Sequence, residues 1–266
     1  MALFSHEQAT YPPVDVLKPV AEGLWIVDSG PLSAYGLALP LRMTVGRLSS
    51  GDLWLHSPTR FDGELKREME KIGPIRHLVA PDIAHWMHLQ DWQRACSEAT
   101  TWAAPGRRDR GEVRKSPVRL ERDLSGSPPP EWAGDMEQVV VPGGFGFSEV
   151  DFLHQATATL VLTDLIVNLE AQKLPTFNRA LAKLLGILAP HGKAPLYLRM
   201  IVRMRRDEAR GHADARLGAR TRHLQPWPLV RARRDERAPA RLRLAPALSG
   251  RLSPRRAQGP SARGAR

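Results

Sequence analysis

The 266-residue sequence contains one cysteine, Cys96, and lacks any long uninterrupted apolar run. A single cysteine excludes an intramolecular disulfide and a thiolate-rich zinc site, and it is typical of a reducing, cytoplasmic setting. No window offers about 18 consecutive apolar residues, and the N-terminus lacks a basic segment followed by an apolar one. We therefore expect neither export nor membrane insertion.

The folded part of the chain also lacks an excess of either charge. Residues 211–266 contain 14 Arg, no Lys and three acidic residues, which accounts for the whole formal charge of +11. Because the first 210 residues have no basic stripe of the kind that phosphate backbones demand, we expect no specific nucleic-acid partner. Nucleic-acid binding through the arginines of the tail ranks last among the candidate functions.

The pattern of apolar residues divides the chain into three parts, an N-terminal lead (1–20), a folded domain (21–209) and an Arg/Pro/Ala-rich tail (210–266). The tail has no helical or strand periodicity and is expected to be disordered. Residues 105–130 are rich in proline and charge and predict a long surface loop. Strands are predicted at 22–28, 42–48, 52–56, 77–80, 101–103, 137–141, 149–154 and 159–167, and helices at 64–71, 84–96, 175–188 and 196–209.

The junction after the strand at 77–80 is where chemistry is predicted. Pro81 ends this strand because proline has no N–H for a ladder. His85, His88 and Asp91 recur every three residues and would share one face of the helix that follows. Side chains at such a junction lie at the mouth of a sheet, where ligands and metals bind. The alternative is that both histidines are surface or half-buried residues with ordinary hydrogen bonds.

Asp164 is the one charge in the most strand-like run of the sequence, residues 159–167. A carboxylate among apolar residues is costly unless it is paired, hydrogen-bonded or metal-bound. Asp164 is therefore either a ligand or a cap of the following turn, and the two readings have equal weight.

Several short motifs occur in a fixed order: Leu24-Trp-Ile-Val27, Leu53-Trp-Leu-His-Ser-Pro58, Leu78-Val-Ala-Pro-Asp-Ile-Ala-His85, Glu149-Val-Asp-Phe-Leu-His154 and Thr159-Leu-Val-Leu-Thr-Asp164. As a set, over residues 20–205, they resemble domain of unknown function 4336, a family with a metallo-β-lactamase-like fold. The resemblance implies an α+β fold, a four-layer αββα sandwich of two packed sheets flanked by helices. It also implies one or two metals, usually zinc, at the edge of the sheets.

The resemblance further implies which residues hold the metal. The superfamily's first motif, His-x-His-x-Asp-His, follows a strand and opens a helix, but Pro81 and Ile83 stand at two of its ligand positions. His85, together with His88, is what this chain retains of that motif.

A second superfamily motif, a strand ending in Gly-Asp, is similar to Leu162-Thr-Asp164 and makes Asp164 the principal candidate ligand. His154 on the neighbouring strand is a further candidate, with a packed core histidine as its alternative. Glu149 is a weaker candidate, and neither His56 nor His77 shows any sign of a partner.

Imidazoles and a carboxylate suit zinc, with iron or manganese as alternatives, and a bound metal generates a hydroxide nucleophile near neutral pH. The leading prediction is a metal-dependent hydrolase of a small-molecule ester, lactam or phosphoester. The second is a non-catalytic member of the fold that has lost its ligands, which the degenerate first motif favours. The sequence does not specify an oligomeric state.

The last strand and helix of the superfamily, with a final metal-binding histidine often followed by glycine, have no counterpart in this sequence. The Arg-rich tail stands in their place. Codons for residues 225–233 can be chosen that, read one nucleotide later, encode Ser-His-Gly-Pro-Trp-Phe-Glu-Arg, which resembles the missing strand and turn. We therefore hypothesise a frameshift near Arg210.

Determining the gene sequence across codons 200–225 in the source genome tests this hypothesis. We expect a gained or lost base, because an Arg-rich, Lys-free tail is what GC-rich DNA encodes out of frame. A confirmed frame without any alternative reading that restores a histidine would show that the tail is genuine.

Overall fold

The fold is described in a computed structural model of the chain for residues 10–34, 37–143, 147–165, 169–174, 176–185, 187–189 and 243–244. The helix predicted at 196–209 and all of the tail except Arg243–Leu244 lie outside these residues. The hypothesis that the last strand and helix are missing lies outside them too.

A seven-stranded sheet forms the larger half of the fold, with its strands in chain order. The pairings from β1 to β4 are antiparallel and those from β4 to β7 are parallel. The carboxyl ends of β4, β5 and β6 therefore meet at one edge of the sheet. The strands are β1 (Lys18–Ala21), β2 (Leu24–Ala34), β3 (Leu37–Arg47), β4 (Leu53–His56), β5 (Ile75–Ala80), β6 (Thr100–Ala103) and β7 (Arg122–Asp123).

The smaller sheet packs against the larger one. In the order β11-β10-β9-β8, its pairings are antiparallel except for the parallel pair β10–β11. The N–H of Val150 donates to the carbonyl of Pro81 at 2.8 Å, which joins β9 to the loop after β5. The strands are β8 (Met136–Pro142), β9 (Ser148–His154), β10 (Thr159–Val161) and β11 (Arg243–Leu244).

Four short helices complete the described structure: α1 (Gly63–Glu70), α2 (Leu89–Ala95), α3 (Gly111–Arg114) and α4 (Thr176–Leu185), with a 3-10 turn at Ala171–Lys173. Helix α1 begins where the Asp62 carboxylate accepts the N–H groups of Glu64 and Leu65, both at 2.8 Å. None of the helices in the described residues is long and apolar enough to cross a membrane.

Two apolar cores hold these layers together. One contains residues of α1 and α2 together with residues of the larger sheet: Leu65, Met69, Leu89, Trp92, Val45, Leu55 and Leu78. The other fills the space between the sheets with aromatic rings. The ring centres of Trp54 and Phe152 lie 4.9 Å apart, and those of Trp102 and Trp132 lie 4.6 Å apart. The predicted α+β sandwich of two packed sheets is confirmed.

The segment at 105–130 is more ordered than the predicted surface loop. It contains α3 and the edge strand β7, and it buries Val113, Leu120 and Leu124. The side chain of Gln93 fixes its course by bonding both the carbonyl and the N–H of Arg119. The segment lies at the surface, as predicted, with most of its residues exposed, but its two short elements were not predicted because isolated apolar residues between prolines give no periodic signal.

His77 lies in the inter-sheet core and is almost fully buried. Its Nδ1 accepts a hydrogen bond from Nε1 of Trp102 at 3.3 Å, and its ring meets Trp132 edge-on at 5.2 Å. Burial lowers the pKa of His77 below its ordinary value of 6.5, so the folded protein keeps the ring neutral.

The stability of the wild type should fall more steeply with acidification than that of His77→Gln, which keeps an acceptor for Trp102. The unfolded chain binds a proton at His77 below pH 6.5 while the folded chain does not, so this contribution is present above pH 6.5 and is lost below it. The difference between the changes in free energy of unfolding of the two proteins should grow by up to about 1.4 kcal/mol for each pH unit of acidification. Urea unfolding between about pH 7.5 and about pH 5 measures it, and parallel curves would contradict the assignment.

Candidate metal centre

Asp82 organises the loop that follows β5. Its carboxylate is fully buried, accepts the N–H groups of Ala84 and His85 at 2.8 and 3.0 Å, and contacts Nδ1 of His85 at 2.7 and 2.8 Å through its two oxygens. The N–H of Trp86 then bonds the carbonyl of Ala84, a turn too tight for an α-helix. The helix predicted from residue 84 therefore begins only at Leu89, and His85 lies on the turn before it.

Glu149 organises the loop that carries Asp164. Its buried carboxylate accepts the N–H groups of Thr163, Asp164 and Leu165 at 2.9, 3.1 and 3.2 Å. These N–H groups face Glu149 and not a neighbouring strand, so β10 ends at Val161 and the strand predicted through residue 167 is too long. Asp164 therefore lies on a loop whose N–H groups are held by the Glu149 carboxylate.

The two loops bring three potential ligands together. One ligand atom from each of Asp82, His85 and Asp164 can be chosen so that all three lie within 4.8 Å of one another. Two of these residues, His85 and Asp164, are sequence-predicted site residues. Asp82 is not, although an acidic residue directly after a strand and three positions before a candidate histidine is a signal that could have identified it.

The electrostatics of these three groups reflects their crowding. Burial raises the pKa of Asp164 to about 6, and the Asp82 carboxyl within hydrogen-bond reach adds to this effect. Burial would also raise the pKa of Asp82, but its bonds to His85 hold it at about 2. Burial would lower the pKa of His85, yet Asp82 raises it to about 9. At neutral pH, Asp82 and His85 form an ion pair beside Asp164.

Two more carboxyl groups lie behind the three ligands on β9. Burial, and then Asp151, raise the pKa of Glu149 to about 9, and burial raises that of Asp151 to about 6. Such values mean that the surrounding residues supply too little positive charge to stabilise all of these carboxyl groups in their ionised form. A divalent cation would offset this excess, and mixed oxygen and nitrogen donors are what such ions bind, so the residues fit a metal.

Two further histidines line the same region, and sequence reasoning missed one of them. His56 ends β4 and is 2% exposed; burial, and then the charge of His85, lower its pKa to about 3. Burial, followed by Arg60, lowers the pKa of His88. The buried Nε2 of each ring has no hydrogen-bond partner among the described residues. His56 escaped prediction because a histidine on an apolar strand looks like core.

His154 is not brought to this group. Its Nδ1 bonds the Thr157 hydroxyl at 2.7 Å, and the residue pairs with Met136 and Thr159 at the end of β9. His154 is five positions from Glu149, roughly 16 Å along a strand, and an odd spacing puts the two side chains on opposite faces.

The fold and this site define a class of protein: an α+β sandwich with a candidate metal centre where loops from both sheets meet. A sequence profile of the domain of unknown function DUF4336 matches residues 22–190. The chain belongs to this family, as predicted. A comparison with curated proteins finds no match.

Solved structures similar to this chain include two metallo-β-lactamases and the protein TMB-1. The enzyme from Pontibacter korlensis shares 12% identity over 56% of this chain and 71% of its own length, with a TM-score of 0.46. The one from Hirschia baltica shares 14% identity over 57% of this chain and 72% of its own length, with a TM-score of 0.45. TMB-1 shares 12% identity over 73% of this chain and 97% of its own, with a TM-score of 0.48. At such scores these likenesses carry no statement about activity.

Replacing Glu149 by Ala should destabilise the protein by about 2–4 kcal/mol, because three backbone N–H groups lose their acceptor. Glu149→Gln retains one acceptor oxygen and should cost less. The matched control is Glu137→Ala on β8, whose exposed side chain should matter by less than about 0.5 kcal/mol. Urea unfolding measures all three, and equal stabilities of the two alanine variants would contradict the role of Glu149.

Proposed function

We propose that this protein is a metal-dependent hydrolase of a small-molecule ester, lactam or phosphoester. The observation that supports it is the convergence of Asp82, His85 and Asp164, whose ligand atoms lie within 4.8 Å of one another. These residues come from loops at the end of the sandwich where the sheets converge, which is where ligands bind in proteins built from parallel strands.

The carboxylates of Asp82 and Asp164 and the ring of His85 would hold the ion, which when bound supplies Lewis acidity and a water of lowered pKa. Zinc is the first candidate, and iron or manganese would accept the same oxygen and nitrogen donors. Binding requires His85 to release the proton that it shares with Asp82, so metal affinity should increase with pH.

The surrounding residues have separate roles. Glu149 positions Asp164 through three N–H bonds, as an outer-shell group positions a ligand. Because its pKa lies near 3, His56 is neutral at physiological pH, and Nε2 of its ring is free to accept or donate a hydrogen bond.

The alternative is a non-catalytic member of the fold. The ion pair between Asp82 and His85 favours it, because the two residues satisfy each other without a metal. Metal content distinguishes the two functions, since a scaffold that has lost its ligands binds no ion at this site.

The wild type, freed of metal by chelation, should bind one equivalent of Zn²⁺ in a calorimetric titration. Asp164→Asn and His85→Asn should each weaken binding by at least about tenfold, because each removes a ligand. Asp91→Asn is the matched control: this exposed aspartate near the site pairs with Arg94 and should leave the affinity unchanged. Zinc binding that is absent, or insensitive to both ligand variants, would overturn the metal centre.

The metal-loaded protein should then hydrolyse at least one of three reporters: p-nitrophenyl acetate, a chromogenic cephalosporin or bis-p-nitrophenyl phosphate. Activity should disappear with chelator and in Asp164→Asn, and persist in Asp91→Asn. Stoichiometric zinc binding without hydrolysis of any reporter would favour the non-catalytic alternative.

A further inference from the structure

Arg107 is a buried cation with few partners. Its side chain is 4% exposed, and Nη2 donates to Glu112 at 3.1 Å, while Glu112 itself is 62% exposed. Its guanidinium lies 5.7 Å from the centre of the Trp86 ring. Nε and Nη1 are buried and have no hydrogen-bond partner within the described part of the chain. These two nitrogens carry three N–H donors on a group that stays ionised.

The loop that carries Arg107 lies beside the candidate metal centre. Arg107 follows β6 as Asp82 follows β5, and the two strands are parallel neighbours whose carboxyl ends meet. The N–H of Ala104 bonds the carbonyl of Ala80 at 2.9 Å, which ties the two loops together. The Ser148 hydroxyl bonds the carbonyl of Pro105 at 3.1 Å, which ties the Arg107 loop to the start of β9.

Arg107 interacts with residues of the loop that carries Asp82 and His85. Trp86, on which its guanidinium stacks, is the residue after His85. Burial lowers the pKa of Arg107, while the negative charges of Glu112 and, to a smaller extent, of Asp82 act to raise it, so the charge of Asp82 is felt at Arg107. Asp82 accepts no hydrogen bond from Nε or Nη1 of Arg107, since neither nitrogen has a partner among the described residues.

We propose that Arg107 binds an oxyanion carried by the substrate next to the metal centre. Its planar fork of N–H donors matches a carboxylate or a phosphate, and burial against Trp86 fixes the orientation of that fork. As a statement about substrate, this inference rests on the proposed hydrolase function. It narrows the substrate class to esters, lactams or phosphoesters that carry an anionic group near the scissile bond.

The experiment titrates sulfate and, separately, acetate into the full-length protein at fixed ionic strength. Sulfate represents a tetrahedral oxyanion and acetate a planar one, so their relative affinities report which geometry the site prefers. Tryptophan fluorescence follows binding, since Trp86 lies under the guanidinium. Each titration is made on metal-free and on zinc-loaded protein, and zinc binding by each variant is measured alongside.

Saturable binding with a stoichiometry of one is expected for the wild type. Arg107→Gln should weaken it by at least about tenfold, and Arg107→Lys by a smaller factor, because a lysine keeps the charge without the fork. Glu112→Gln should tighten it, since it removes the one ion-pair partner that Arg107 has among the described residues. Arg108→Gln is the matched control: Arg108 is exposed and pairs with Asp123, so affinity should not change.

A wild type that shows no saturable binding, or variants that all bind equally, would overturn the inference. If Arg107→Gln does not fold, Arg107→Lys and Glu112→Gln still test it through opposite changes in affinity. Zinc binding without oxyanion binding would refute the role of Arg107 and leave the hydrolase proposal standing. Oxyanion binding without zinc binding would overturn the assignment of the anion to a hydrolase substrate.

Discussion

Four carboxyl groups, those of Asp82, Glu149, Asp151 and Asp164, are gathered where the two sheets converge, and their mutual repulsion is the constraint on this end of the molecule. Among the described residues, the ion pair between Asp82 and His85 is the one salt bridge that these groups make. Burial raises the pKa values of the other three, and neighbouring carboxyl groups add to this effect for Glu149 and Asp164, so ionising all of them without a cation is unfavourable. A site with this balance of charge is unfavourable by itself and is suited to a dication.

The backbone around the site departs from regular structure to hold these groups in place. Asp82 and Glu149 each accept several N–H groups, and in doing so they delay the start of α2 and end β10 early. Ser57, directly after β4, adopts a positive φ of 56° and donates its N–H to the carbonyl of Val79. A left-handed conformation at a residue other than glycine costs free energy, and such costs concentrate at functional sites.

Sequence patterns were sufficient for the framework and for part of the site. Alternating and continuous apolar runs predicted most strands, because burial in a sheet imposes those patterns. Asp164 was recognisable because a charge inside an apolar run is costly unless it has a partner or a ligand. His85 was recognisable because it follows a buried strand, where ligands bind. Asp82 was missed although it directly follows a strand and precedes a candidate histidine by three positions. His56 and Arg107 were not recognisable, because nothing in their local sequence distinguishes them from a core histidine and one more arginine of a charged loop.

The sequence by itself determined the family, the α+β composition, the neutral folded region and two members of the candidate centre, because these depend on local residue type and spacing. Only the tertiary structure decided which polar groups meet. The parallel register of β4, β5 and β6 brings His56, Asp82 and Arg107 to one edge, and the pairing of β9 with β10 puts Glu149 under Asp164 and takes His154 away. Contacts between residues far apart in the chain follow from sheet order and register, which no local pattern specifies.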